Sequence, residues 1–208
     1  MGLWNDRVLP RVVDRSLSAP EVAPLRAAVC GGLRGRVLEI GFGSGLNLEH
    51  YPGAVESVAA VEPSDLAWAL SADKRSRSVV PVERTGLDGQ RLEVPDATYD
   101  AVLSTFTLCT IPDVATALSE VRRVLRPGGS LSFLEHGRAP DEGVARWQGR
   151  LEPLQKRVFG GCHLTRDMPA LIAAAGLQVV DVRAEYLPGP RLSRPWAYGY
   201  LGRAAVSA

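Results

Sequence analysis

Residues 37–45 read VLEIGFGSG, and they hold the most densely spaced chemical signal in the chain. Val37, Leu38 and Ile40 suit a buried strand, Glu39 interrupts it, and Gly41, Gly43 and Gly45 make a turn beyond it. Glycine has no Cβ and tolerates positive φ, so such a turn lets main-chain N–H groups approach a ligand closely. The spacing is GxGxG, with an acid two residues before the first glycine. A dinucleotide fingerprint needs its third glycine one position later, where Leu46 stands, which weighs against a nicotinamide oxidoreductase. A second apolar run, 57–61, ends in Glu62-Pro63-Ser64. Glu62 follows Gly41 by about 20 residues, the offset at which a nucleotide-binding half places an acid on ribose hydroxyls. A carboxylate has two acceptor oxygens and can hold both vicinal hydroxyls.

Composition bounds what these residues serve. A chain of 208 residues with 46% hydrophobic content can bury one good core, so one domain is expected over 1–208. It divides into N-terminal cap helices (1–33), a ligand-binding core (34–136) and a region of helices and closing strands (137–208). A formal charge of +1 offers no general attraction to nucleic acid. No apolar run approaches the roughly 18 residues of a transmembrane helix, and the N-terminus lacks the apolar core of a secretory signal. Cys30, Cys109 and Cys162 are odd in number and widely separated. They read as reduced thiols of a cytoplasmic protein, and no pair has zinc-like spacing, so no metal is expected. Lys74 and Lys156 are the only lysines among many arginines, a bias that fits a GC-rich bacterial genome.

Strands alternating with helices point to an α/β fold. In the first 20 residues Trp4, Val8 and Val12 recur four apart, as do Arg7, Arg11 and Arg15. This amphipathic pattern suits a segment covering a cleft; peripheral contact with a membrane is the alternative. A helix is expected from Glu21 to about Leu33, and a short one over 46–51. Pro63 and Ser64 open another that runs to about Ala72. Further strands are expected over 79–83 and 100–104, the latter running out into Thr105 and Phe106 at the carboxyl edge, where open α/β sheets bind ligands. Asp113 suits an N-cap for a helix with Val114, Ala117, Leu118, Val121 and Leu125 inward. Pro127-Gly128-Gly129 then turns the chain into a strand over 130–135. From Asp141 a helix carries Trp147, Leu151, Leu154 and Val158 as a four-three-four stripe. Closing strands are expected near 178–185 and 196–201.

The glycine loop, Glu62, LDGQRLEVPDATYD (87–100) and EVRRVLRPGGSLSFLEHG (120–137) stand in the order seen in class I S-adenosylmethionine (SAM) dependent methyltransferases. The chain resembles that family over about 36–136. The resemblance implies a Rossmann-like, seven-stranded, mostly parallel sheet with one antiparallel strand and helices on both faces. It implies SAM as cofactor and S-adenosylhomocysteine as product. Glu39, Gly41, Gly43, Gly45, Glu62, Pro63, Thr105 and Phe106 would line the cofactor, with Asp88 on the adenine amino group between Leu87 and Gly89. The adenine segment departs from the family pattern, with Leu87 in place of glycine and Glu93-Val94 in place of Pro-Phe.

The N-terminal half of that region is similar to the quinone-biosynthesis branch. TLC (107–109), LEH (134–136), GCHLTRD (161–167) and RPWAYGY (194–200) are together similar to thiol S-methyltransferases of the methyltransferase-like-seven type. Gly160 stands where those proteins have an acid, and their N-terminal membrane anchor is not expected here. The resemblance implies direct in-line methyl transfer to a small molecule, most simply a thiol or sulfide. Quinone-like C- or O-methylation, amine N-methylation and a non-catalytic SAM-binding module are the alternatives. A thiol needs little help to become a nucleophile, whereas a phenol or amine calls for a base. His136, just past the fifth strand, is the candidate base or orienting group. Trp147, Cys162 and His163 are expected to line the acceptor pocket; His50 has no assigned role. The acceptor and the oligomeric state stay open.

Overall fold

The computed structural model describes residues 4–187 and 190–206. Its centre is a seven-stranded sheet in the order β3-β2-β1-β4-β5-β7-β6. These are β1 (Gly35–Ile40), β2 (Val55–Val61), β3 (Val82–Gly86), β4 (Tyr99–Thr105), β5 (Leu125–His136), β6 (Gln178–Tyr186) and β7 (Tyr198–Ala205). β1 to β5 run parallel, and β7 lies antiparallel to both β5 and β6. The central strands are apolar because both faces are covered: Val37, Leu38, Val102, Leu103, Leu131 and Phe133 are all fully buried. Chain order reverses between β1 and β4, which pair from Val37↔Ala101 to Ile40↔Ser104. A ligand crevice belongs at the carboxyl end of such a switch point. That is where the glycine loop emerges.

The helices are α1 (Leu9–Leu17), α2 (Ala23–Cys30), α3 (Asp65–Leu70), α4 (Ala72–Arg77), α5 (Val114–Val124), α6 (Glu142–Val158), α7 (Met168–Ala174) and α8 (Arg194–Ala197). α5 buries Val114, Ala117, Leu118 and Val121, and Asp113 caps it by accepting from Thr116 N at 3.0 Å. Among the described residues no helix is long and apolar enough to cross a membrane.

Some boundaries differ from those expected, each for a local reason. The third strand begins at Val82, not Val79, because Pro81 has no N–H to give the ladder and Val79 faces solvent. The helix after Glu62 breaks at Ser71, whose hydroxyl donates to Trp68 O at 2.7 Å. Only one 3-10 turn, Leu48–His50, forms where a short helix was expected, since the Asn47 side chain is drawn into the core instead. Trp196 belongs to α8 rather than to the last strand, with Pro195 in the first helical turn.

Candidate active site

Two cavities meet at the carboxyl edge of the sheet. The first, of about 280 Å3, is lined by the glycine loop, Glu62, Pro63, Thr105 and Phe106, with Arg26 of α2 at one side. α1 lies across it through Leu9, Pro10, Val13 and Asp14. Gly41 has φ +75°, and a Cβ there would stand 1.9 Å from Thr107 Oγ1. Gly43 has φ +59°, and its N–H donates to Glu62 Oε2 at 2.7 Å. The other carboxylate oxygen accepts from Ser64 N at 2.7 Å. Burial raises the Glu62 pKa, and these two N–H donors oppose the shift. Glu62 therefore joins the tip of β2 to the glycine loop.

Behind the loop sits a buried polar network. Asn47 Nδ2 donates to Glu39 Oε1 at 2.6 Å, and the Tyr51 hydroxyl donates to Oε2. Arg26 donates to Asn47 Oδ1 at 2.8 Å and to Thr105 Oγ1 at 3.2 Å. Burial pushes the Glu39 carboxyl up to about 7 despite the Tyr51 and Asn47 donors. Arg26 Nε is buried without a hydrogen-bond partner among the described residues.

The second cavity, of about 520 Å3, shares Phe106, Thr110, Val13, Leu17 and Phe159 with the first. Its walls come from α1, from Leu151, Leu154 and Val158 of α6, and from Trp196. At its inner end lie Cys109, His136 and Cys162. The two sulfurs are 3.8 Å apart, and His136 Nδ1 is 3.8 Å from Cys162 Sγ. The hydrogen bond shared with Cys109, helped by His136, favours a thiolate at Cys162; that same bond and burial push the Cys109 thiol up. Glu135, fully buried, sets this end in place. Its carboxylate accepts from Ser104 Oγ at 2.7 Å and from the N–H groups of Thr107, Leu108 and Cys109 at 3.0–3.1 Å. Between the cavities Phe106 has φ +54°, a left-handed backbone that a bulky side chain adopts only when its surroundings hold it. Its N–H donates to Leu134 O at 2.7 Å, and its ring lies 4.9 Å from that of His136.

Comparison with known proteins fits this layout. Residues 38–133 match a family model described as a methyltransferase domain. The chain is 33% identical over 172 residues to thiol S-methyltransferase TMT1B of Rattus norvegicus, covering 81% of this chain and 69% of that protein. The chain belongs to the class I SAM-dependent methyltransferases. SAM is accordingly its methyl donor. The methyltransferase is also 32% identical to phosphatidylethanolamine N-methyltransferase of Cereibacter sphaeroides, over 82% of this chain and 84% of that protein. Among solved structures it is similar to the [4+2]-cyclase SpnF (TM-score 0.71, 19% identity, 90% and 81% of the two chains). A SAM-dependent methyltransferase from Mesorhizobium loti is likewise similar (TM-score 0.65, 18% identity, 91% and 99%). The name of the first shows that this fold by itself does not specify a reaction.

The residues singled out from the methyltransferase sequence do not all converge. Gly41, Gly43, Glu62, Pro63, Thr105 and Phe106 line the first cavity; His136 and Cys162 line the second. Gly45, at φ +74°, turns the loop against Leu48 and Phe42. Glu39 supports the loop from behind. Leu87 and Asp88 lie on an exposed turn, where Asp88 Oδ1 accepts from Gln90 N at 2.8 Å, and Gly89 packs on Ile40. Trp147, expected in the acceptor pocket, lies instead in the next groove with Arg150 over its ring. Helical periodicity set its face correctly, but it stands one turn, about 6 Å, beyond Leu151 and past the end of the cavity. His163, expected there too, turns away to Glu152 Oε1 at 3.1 Å. Cys109, Glu135 and Arg26 were not singled out; the signal for Cys109 and Glu135 was their place in the TLC and LEH segments.

Proposed function

We propose that this methyltransferase transfers a methyl group by direct in-line attack to a small apolar thiol or sulfide. The second cavity carries the reading. It opens beside the donor cleft across Phe106, its walls are mainly apolar, and among the described residues no carboxylate, lysine or arginine lines it. A charged acceptor would be desolvated there without an ion-pair partner. The thiol S-methyltransferase relatives support the same class.

The first cavity fits the donor. Gly41 and Gly43 leave the main chain open to close approach, and Glu62 has lone pairs left for ribose hydroxyls after accepting two N–H groups. Arg26, with Nε unpartnered, suits the carboxylate end of SAM. The turn of Leu87, Asp88 and Gly89, packed beside the end of β1, is assigned to the adenine end. When bound, SAM supplies an electrophilic methyl group on a sulfonium. Catalysis by the chain is then positioning and exclusion of water. α1 covers both cavities, Phe106 separates donor from acceptor, and His136 orients the acceptor or takes its proton.

A second reading, a lipid amine acceptor, has one observation of its own. The groove next to the acceptor cavity carries Arg146, Arg150, Arg191 and Arg194, with Asp141 and Glu142, around Trp147 and Leu192, and it shares Leu151 and Trp196 with the cavity. A lipid phosphate would suit it. Incubation with methyl-labelled SAM and a panel of small thiols, hydrosulfide, phenols, quinol analogues and phosphatidylethanolamine vesicles, read by product mass, separates the two. Methylated thiol alone is the expected result. Transfer only to carbon, oxygen or nitrogen overturns the acceptor class.

A further inference from the structure

Three soft donor atoms reach the inner end of the acceptor cavity from three separate parts of the chain. Cys109 follows β4, His136 ends β5 and Cys162 lies in the loop after α6. Their ligand atoms all lie within 4.8 Å of one another, with two separations of 3.8 Å. Around an ion with bonds of about 2.3 Å to sulfur and about 2.0–2.1 Å to nitrogen, tetrahedral donors stand roughly 3.5–3.8 Å apart. A disulfide would need the sulfurs at about 2.05 Å.

The backbone holds these donors in place. Cys109 N donates to Glu135 Oε2 at 3.1 Å, Cys109 O accepts from His163 N at 2.8 Å, and His136 is paired in the sheet opposite Gly199. Glu135 fixes the backbone behind Cys109 by accepting three successive N–H groups, from Thr107, Leu108 and Cys109. The Arg166 guanidinium donates to the carbonyls of Leu108 and Ile111. All three donors line the cavity, which places the remaining corner of a tetrahedron on the acceptor's side.

We propose that Cys109, His136 and Cys162 form a three-ligand site for a thiophilic divalent cation, Zn2+ being the probe, with its fourth position open to the acceptor cavity. Three protein ligands and one exchangeable position are the pattern of a working zinc site rather than a structural one. Both cysteines bind as thiolates, and the S–H proton that Cys109 gives up passes to solvent. The role of the ion rests on the thiol reading above; its binding does not. A thiol at the fourth position loses its S–H proton to solvent. Its sulfur lone pair then forms the new C–S bond as the sulfonium C–S bond breaks, leaving a thioether and S-adenosylhomocysteine. His136 acts in this arrangement as a ligand.

The test uses untagged full-length protein reduced with a phosphine, titrated with Co2+ and then Zn2+. One equivalent of Co2+ should give a sulfur-to-cobalt charge-transfer band and tetrahedral visible bands, displaced by one equivalent of Zn2+. Cys162→Ala and His136→Ala should lose them, while Cys30→Ala, in the other core, keeps them. Circular dichroism and SAM binding check that each variant is folded. Adding a small thiol to the cobalt protein should shift the visible bands. Absence of a stoichiometric ion, an octahedral spectrum, or bands that survive Cys162→Ala overturn the site. Bands that no thiol shifts overturn the open fourth position. Diamide cross-linking of Cys109 to Cys162 at the same rate with and without Zn2+ also counts against the site. These readouts involve no methyl transfer, so a failure of the thiol reading, seen as a non-thiol product, is distinguishable from a failure of the ion site.

Discussion

The cavity proposed for the donor and the one proposed for the acceptor share a wall but are built by different means. The donor cleft is largely main chain: Gly41 and Gly43 with positive φ, and Glu62 bonded to backbone N–H groups. Most of its residues sit at the tips of neighbouring parallel strands. The acceptor cavity is side chains, gathered from Val13 in α1 to Trp196 in α8, around a sulfur and imidazole cluster that no single segment contains. Backbone geometry at a switch point tolerates little change, whereas a wall of leucines and valines can change residue by residue.

The sharpest way to break the contrast is Gly41→Val. The new side chain would collide with Thr107 and force a β-branched residue to φ +75°. We expect SAM affinity to fall by about a hundredfold or more, roughly 2.7 kcal/mol, measured by calorimetry on folded protein. Wild-type affinity would mean that close main-chain approach is not what the loop provides.

Glu39 tests whether the donor side rests on its buried network. Its folded pKa of about 7 lies above the ordinary 4.5. The fold therefore holds a proton that the unfolded chain releases, and between about pH 4.5 and 7 the wild type loses stability as pH rises. Below that window the penalty is absent; above it the penalty is complete. Glu39→Gln should flatten this part of the profile by up to about 3 kcal/mol, seen in urea unfolding at successive pH values. An unchanged slope would show that Glu39 is ionised in the fold throughout.

Glu62→Ala removes the carboxylate assigned to the ribose. A charge-assisted hydrogen bond contributes about 1.5–3 kcal/mol, so SAM should bind about ten- to a hundredfold more weakly. Unchanged binding in a folded variant removes Glu62 from the donor site. On the other side, Leu154→Ser alters an exposed residue of the acceptor wall. It should raise the acceptor KM by about tenfold, near 1.4 kcal/mol, and leave SAM affinity alone. A matching loss of SAM affinity would mean that the two cavities act as one.

Much of the fold was legible because local rules and the final packing agree. Apolar runs became the central strands, and Asp113 and Ser64 cap the helices expected after them. Disagreements arose where one residue overrode a pattern, as Pro81 did by delaying β3 and Ser71 by dividing a helix. The glycine loop was legible because its shape is local conformation, with positive φ at Gly41, Gly43 and Gly45, which glycine spacing records directly. The acceptor side was less so. A stripe on α6 specifies which face turns inward, but not where along the helix a cavity ends, and so Trp147 falls outside. Adjacent residues in a loop can point opposite ways, as Cys162 and His163 do.

What the sequence determined by itself is the order of the strands' chemistry, a glycine turn after one buried strand and an acid after the next; the antiparallel closing strand was what the family resemblance implied. The first two follow from φ preferences, side-chain periodicity and the right-handed connection of parallel strands. Only the tertiary structure decided that Cys109, His136 and Cys162 share one corner, and that Arg26 and α1 close over the donor cleft. Their separation along the chain carries no distance information. Sheet order and helix packing bring them together.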